Sequence, residues 1–544
     1  NCAGQIGAST EAAPPGSVKI SFVSSNTKED WVDAVTEKFN AEQIKTSAGN
    51  PVFVQVAHVT SGGSQKDILD GKIQPTVWSP GDQSWVDGAN QVWQDRTGKA
   101  LITTDECQPT VYAPIGFGMW RPMAEALGWP DAPISWDTIV SLAADPQGWA
   151  SYGHSEWGEF RFGHTHPDYS NVGLLIMTAL AYDTLEQTSG LTPEQVKSDE
   201  VIEAFRNVEL HTYHYGVQTR DLISIMARRG PSYLHATTSS EAEILKANVD
   251  NADQLRFPLA FIFPSKGTFW TEQPYCILDA DWVTDEQREA AELYRDYLLA
   301  PEQQALAVDN YLRPVDASIA LHAPIALESG TDPRVTRETV PPLASPSGEP
   351  AEAVKDVFHL TKKKATVILV LDTSGSMQGE KITNAVEATA NFVDRLEKDD
   401  EVYVIAFASQ PIELQPAGRK GDVGEELADA GRGLYAEGGT ALFDAVCTAV
   451  DRVNELKATH EAAGEKRLYG IVVLSDGQDT ASSRTESDMF NCLPSGEDVE
   501  GVKVFTIAYG DDAAKDLLLR VATSTNGKTY SVAPEPIEKL YTAI

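Results

Sequence analysis

The stretch from Ala365 to Leu371 is an unbroken apolar run that stops on Asp372. It constrains the fold more than any other segment. A strand that is apolar on both faces has to be covered on both. Parallel sheets with helices on each side meet that condition, and half-solvated antiparallel sheets do not. A helical pattern follows from Lys381 to Leu396. Further strands are expected over Glu401 to Phe407, Tyr469 to Leu474 and Val502 to Ala508, and helices over Leu442 to Leu456 and Lys515 to Ser524. Alternating strand and helix imply an α/β fold with a doubly wound parallel sheet, whose site lies in the loops at the carboxyl ends of the strands.

Three of those loops carry hard oxygen donors. The first holds Asp372, Ser374 and Ser376. The second is Gly438, Gly439 and Thr440 at the start of a helix. The third is Ser475, Asp476 and Gly477, directly after a strand. Carboxylate and hydroxyl oxygens suit a small hard cation, Mg²⁺ first, with Ca²⁺ or Mn²⁺ as alternatives. Taken singly, Ser374, Gly375 and Asp476 also suit turns and caps.

In type and order the five positions resemble the metal-ion-dependent adhesion site of von Willebrand factor A domains, over residues 351–544. The resemblance implies a Rossmann-like fold in which Asp372 carries much of the negative charge. Ser374 and Ser376 would coordinate through their hydroxyls. Thr440 would bind directly or through water, and Asp476 through water. It also implies a protein partner that offers an acidic residue to the metal.

The segment before it alternates as well. Strands are expected over Val18 to Val23 and Val52 to His58, each followed by a Ser-bearing turn and a helix. A third apolar strand, Pro75 to Trp78, leads into Asp82 and Trp85. Ser24 and Ser25 precede one helix, and Ser61, Gly62 and Ser64 open another. In the middle of the chain His166, Ser170 and Asn171 precede the apolar helix Val172 to Ala181. Free N–H groups and hydroxyls at such helix starts can point at one small ligand; each serine alone suits simple capping. The order resembles type II periplasmic solute-binding proteins, in particular the branch with molybdate receptors. That implies two lobes, lobe I at about 18–110 and 275–326 and lobe II at about 111–274, closing by a hinge on a small polar or anionic solute. Its expected contacts are Ser24, Ser25, Ser61, Gly62, Ser64, Asp82, His166, Ser170 and Asn171. His154, His164 and His166, with His211, His214 and His235, form a weaker metal-ligand set, without the tight spacing of a helical pair.

Residues 327–350 are rich in Pro, Ser and Gly without an apolar period, and are expected as a linker. The chain opens on a polar tether at 1–17. There Cys2 resembles the lipid-bearing cysteine of a bacterial lipoprotein, which implies a membrane-anchored, cell-surface protein and, through the receptor resemblance, a transporter as a further partner. Five cysteines leave one over once two pairs are made. Cys447 and Cys492 share a domain. The receptor resemblance sets Cys107 and Cys276 on neighbouring hinge strands, where a second bridge could form. Bridges imply an oxidising compartment.

Charge excludes some functions. The net charge is −37, with 23 basic and 47 acidic residues in 1–350 and 20 and 33 in 351–544. The acidity is therefore spread over both parts, and a nucleic-acid face or a basic lipid-docking patch is not expected. No Gly-x-Ser-x-Gly, His-Glu-x-x-His or P-loop pattern occurs, which leaves a metal-dependent hydrolase as the least favoured function. The favoured expectation is a non-enzymatic extracytoplasmic receptor joined to a metal-dependent protein-binding domain. The alternative is an adhesion or assembly protein whose receptor-like lobes no longer bind solute.

Overall fold

The computed structural model describes residues 13–103, 106–168, 170–216, 218–346, 348–495, 501–510, 513–525 and 527–532. Cys2 and most of the expected tether lie outside them. The chain divides into two compact units, Asn1–Thr361 and Lys362–Ile544.

The first unit is built on two five-stranded sheets. One has the order Val52–His58, Val18–Ser24, Val77–Ser79, Tyr275–Ile277, Cys107–Gln108, with its first three strands parallel and the last two antiparallel to their neighbours. Trp31, Val32, Val35 and Phe39 form the apolar stripe of the helix Glu29–Glu42 and bury against Ile20, Phe22, Val54 and Tyr294. The second sheet has the order Leu259–Ile262, Ile115–Trp120, Ala236–Ser240, Phe162–Thr165, Thr212–Gly216. Its helix Asn171–Thr184 is buried from Leu175 to Asp183, which is why its sequence shows no polar face. The lobes are joined where Ala113 N–H donates to Thr271 O (3.0 Å) and the Thr271 hydroxyl donates to Ala113 O (2.6 Å). Cys107 and Cys276 face each other on adjacent strands and are disulfide-bonded.

Residues 327–350 were expected as a linker, but the structure places them inside this unit. Trp270 Nε1 donates to Val340 O (3.0 Å), Leu343 N to Thr268 O (2.8 Å) and Ala344 N to Thr188 O (2.9 Å). The helix Glu349–Thr361 then buries Ala353, Val354, Val357 and Phe358. The compact units therefore meet at Thr361 and not at 350. The stretch shows no period because scattered backbone bonds and two apolar anchors, Val340 and Leu343, hold it in place of an amphipathic face.

In the second unit, strands Glu401–Phe407, Lys364–Asp372, Arg467–Ser475, Lys503–Tyr509 and Thr529–Val532 run parallel in that order. Short strands Pro411–Glu413 and Gly418–Arg419 add antiparallel pairs at the edge. One face packs on the helix Glu380–Arg395, the other on Leu442–Ala462 and Lys515–Ser524. The chain leaves Lys364–Asp372 toward one neighbour and returns on the other side. The carboxyl end of that strand is thus the topological switch point, where α/β sheets place ligands. The disulfide Cys447–Cys492 ties the helix Leu442–Ala462 to Glu486–Cys492.

Candidate functional site

At that switch point Asp372 is fully buried. One carboxylate oxygen accepts Ser374 N–H (2.9 Å), the other the Ser475 hydroxyl (2.6 Å). Ser374 Oγ and Ser376 Oγ stand 3.0 Å apart, and Ser376 Oγ donates to Asp476 Oδ1 (2.7 Å). Thr440 is fixed by its backbone: its N–H donates to Thr480 Oγ1 (2.9 Å) and its carbonyl accepts Thr480 N–H (2.8 Å). A Cβ at Gly477 would stand 3.6 Å from Ser376 Oγ and 3.9 Å from Thr440 Oγ1, so the hydroxyls of two loops face the third. All five sequence-identified residues thus gather at one place. The structure adds Lys381, whose ammonium lies 2.5 Å from Asp476 Oδ2. Burial pushes the Asp372 carboxyl up, against the hydrogen bonds from Ser374 and Ser475, and the charge of Asp476 adds to the rise. A cation would reverse that balance, and a donor set of two carboxylates and three hydroxyls fits a hard one.

The solute residues behave differently. Ser25 Oγ donates to Gln273 Oε1 (2.8 Å) and accepts from Lys28 Nζ (2.8 Å). Lys28, itself buried, also donates to Ser79 O (3.0 Å) and Gln273 Oε1 (3.1 Å). Burial pushes its ammonium well below the usual lysine range. Ser24 Oγ donates to Ser25 O, 3.3 Å away. Ser61 Oγ accepts Gly81 N–H (3.0 Å), and Gly62 packs where a Cβ would come 3.2 Å from Trp85. Ser64 is internal: it donates to backbone carbonyls of its own turn and accepts from Trp78 Nε1 (2.9 Å). Asp82 caps its helix through Ser84 N–H (2.9 Å) and accepts the Ser345 hydroxyl (2.8 Å). Burial, then the charge of Asp82, pushes the Glu272 carboxyl up to about 7.

In lobe II, Ser170 caps the helix that Asn171 begins. The His166 ring lies 4.7 Å from Phe358, and His359 Nε2 lies 2.9 Å from Asp168 Oδ2. Burial would raise the Asp168 carboxyl, but the hydrogen bond from His359 and the charges of His359, His166 and Lys355 together outweigh it and hold the group low. The segment expected as a linker thus reaches Asp82 of lobe I through Ser345, and the helix that follows it reaches His166 of lobe II through Phe358. The other histidines are internally satisfied. His164 bonds Glu209 Oε1 (2.9 Å), and His235 accepts Trp149 Nε1 (3.0 Å), with burial lowering its pKa to about 3. His154 stacks on Trp157 at the surface. Among the described residues one cluster of three metal-type ligands occurs, Glu29, Asp33 and His58, largely exposed.

Sequence inspection missed Lys28, Gln273 and Lys381. Lys28 meets partners 51 and 245 residues away, so no local spacing marks it.

A family model described as bacterial extracellular solute-binding protein matches residues 20–313, and one described as von Willebrand factor type A domain matches 366–542. An uncharacterized protein of Synechocystis sp., sll0103, is 32% identical over 197 residues, covering 35% of this chain and 43% of its own. The pig (Sus scrofa) inter-alpha-trypsin inhibitor heavy chain H4 is 26% identical over 161 residues, 30% of this chain and 17% of that one. The chain thus spans less than half the length of these relatives. Among solved structures, the sulfate-binding protein SubI of Mycobacterium tuberculosis is similar at 16% identity and a TM-score of 0.38, covering 56% of this chain and 89% of its own.

Proposed function

Since the chain belongs to the bacterial extracellular solute-binding proteins and carries a von Willebrand factor type A domain, we propose that it works outside the cytoplasm as a receptor joined to a metal-dependent protein-binding domain. Both families are binding families. The two disulfides suit an oxidising setting.

The observation that carries the metal part is the meeting of three carboxyl-end loops: Ser374 and Ser475 bond Asp372, Ser376 bonds Asp476, and Gly375 N–H donates to Gly438 O of the Thr440 loop (3.1 Å). Asp372, Ser374, Ser376, Thr440 and Asp476 would hold Mg²⁺, with Ca²⁺ or Mn²⁺ as alternatives. A cation with few anionic ligands keeps an attraction for one more carboxylate, which an acidic protein partner can supply. The chain's own part is to hold the hydroxyls in place: Thr480 fixes Thr440, and Asp476 aligns Ser376. Calorimetric titration of the full chain with Mg²⁺ tests this. Ser376→Ala and Thr440→Ala should each weaken binding, and unchanged affinity in both would overturn the assignment.

A second reading has its own support. Ser25 and Ser64 spend their hydroxyls inside the protein, and Ser345 and Phe358 lie on Asp82 and His166. These features favour an adhesion or assembly protein whose lobes are held shut. Solute binding by the full chain decides between the two.

A further inference from the structure

The three loops of the metal site are not held in the same way. Two of them continue directly from neighbouring strands, Lys364–Asp372 and Arg467–Ser475, and the register that sets Leu371 beside Leu474 fixes both. The Thr440 loop belongs to no strand. It runs from the helix Lys420–Arg432 to the helix Leu442–Ala462. Backbone bonds tie its flanks, Glu437 N–H to Thr373 O (2.9 Å) and Ala441 N–H to Ala408 O (2.7 Å). Thr440 itself bonds Thr480 and, through its carbonyl, Ala481 N–H (3.1 Å), both on the segment that follows Asp476.

The sequence leaves the start of Leu442–Ala462 without a cap of its own. Ala441 stands at the N-cap position and has no side-chain acceptor for the orphan N–H groups of the first turn. The cap comes from the other segment. Asp479 Oδ2 accepts Phe443 N–H (3.1 Å), and Ser482 Oγ accepts Asp444 N–H (3.1 Å). In the reverse direction the Asp444 carboxylate accepts Ser483 N–H (2.8 Å) and Arg484 N–H (3.1 Å). Asp479 is itself oriented by Ser482, whose N–H donates to Oδ1 (3.2 Å). At Gly439 an added Cβ would come 2.9 Å from Ala481 Cβ, so glycine is what lets the two loops close this far. Thr485 then caps the helix Glu486–Cys492, whose last residue is disulfide-bonded to Cys447, three residues beyond Asp444. Residues 440–447 and 479–492 are thus joined at both ends, by hydrogen bonds beside the metal site and by a disulfide farther along the two helices.

Rigidity of this kind bears on which cation a site takes. Mg²⁺ requires near-octahedral oxygens at about 2.0–2.1 Å, whereas Ca²⁺ accepts more oxygens at about 2.3–2.6 Å in a looser shell. A hydroxyl that cannot shift favours the ion with the strict geometry. A hydroxyl on a loop that can give serves the larger ion as well. We infer that residues 479–484, backed by the Cys447–Cys492 disulfide, form a clasp that fixes Thr440 and makes the site select Mg²⁺ over Ca²⁺, with Asp479 as its central positioning residue. The inference rests on the metal reading and names what sets its choice of cation. Asp479 acts through the start of the helix and does not itself touch the metal; its two carboxylate oxygens are taken by Phe443 N–H and Ser482.

The test titrates the full chain with Mg²⁺ and, separately, with Ca²⁺ by calorimetry, and reads the ratio of the two affinities. Asp479→Ala should weaken Mg²⁺ about tenfold, the size expected when a helix cap is lost. Ca²⁺ should weaken by about threefold or less, because its shell tolerates the looser loop. Cys447→Ser combined with Cys492→Ser should move the ratio in the same direction by a smaller factor. If Asp479→Ala does not fold, Ser482→Ala decides by the same ratio, since it removes the hydroxyl on Asp444 N–H and leaves the carboxylate of Asp479 in place. A purely structural role would lower the melting temperature and weaken both cations alike. An equal loss for both, or an unchanged ratio in either variant, would overturn the inference and leave the metal reading standing. If the unaltered chain binds neither cation, the metal reading falls and the inference falls with it.

Discussion

Asp372 ends the first described strand of its unit, Lys28 lies four residues beyond the first described strand of its own, and both are buried ionisable groups. Their signs are opposite, and so are the consequences of burial. The carboxyl of Asp372 is pushed up and the ammonium of Lys28 is pushed down, each away from its charged form. Each is surrounded by hydroxyls and neutral oxygens. A cation would relieve the burial of Asp372, whereas Lys28 is already held by the oxygens of Ser25, Ser79 and Gln273. At Asp372 desolvation has already been suffered by the protein, so a counter-ion would recover interaction energy without a further large cost.

The largest effect that can break this comparison is at Asp372. Asp372→Ala should abolish Mg²⁺ binding measured by calorimetry, a loss of about a thousandfold or more, since it removes the buried carboxylate from a donor set with only one other. Retained affinity would make the second unit's site a structural cluster with no counter-ion to seek.

Next comes Phe358, which is fully buried against the His166 loop. Phe358→Ala should cost about 3–5 kcal/mol in denaturant unfolding of the first unit. It should also expose 345–361 to proteolysis. A cost under 1 kcal/mol would mean that Phe358 does not anchor the helix on the His166 loop.

Glu272 sharpens the comparison by pH. Its carboxyl is raised from 4.5 to about 7 in the folded protein, so between those values the folded state holds more protons than the unfolded one. Stability therefore falls as pH rises through that window, by roughly 3 kcal/mol at most. Glu272→Gln should flatten the difference between pH 4 and pH 8 in urea unfolding; an unchanged profile would show that Glu272 does not add negative charge to the cleft.

The smallest effect concerns Lys381, the cation already on Asp476. Lys381→Met should raise Mg²⁺ affinity about tenfold, as removal of a like charge beside the metal requires. A drop would mean that Lys381 holds Asp476 in position.

The two sites were unequally legible in the sequence, for a physical reason. Asp372, Ser374 and Ser376 lie on one turn, and Thr440 and Asp476 each follow a recognisable glycine loop or strand end, so spacing alone brings them to one edge of a parallel sheet. The central strands of the second unit were readable because burial on two faces leaves long apolar runs, and Val18–Ser24 because its outward positions alternate with buried ones. Lys28 was not readable, because its environment is assembled from Ser79 and Gln273 far along the chain. Residues 327–350 misled for a related reason. A segment held by backbone bonds to Thr188 and Thr268, and by Val340 and Leu343, carries the composition of a linker while being part of the fold.

That segment has a mechanical consequence. The chain leaves the first unit through the helix Glu349–Thr361 and enters the strand Lys364–Asp372 three residues later. A partner that pulls on the second unit loads this helix before any strand of the solute-binding lobes. Its moorings are the buried face of Ala353, Val354, Val357 and Phe358 and, at its side, the ion pairs of Lys197 with Asp356 and Asp168 with His359. A pull from the C-terminal end of the helix would therefore meet His359 and Phe358 on the Asp168 and His166 loop first and Ser345 on Asp82 last.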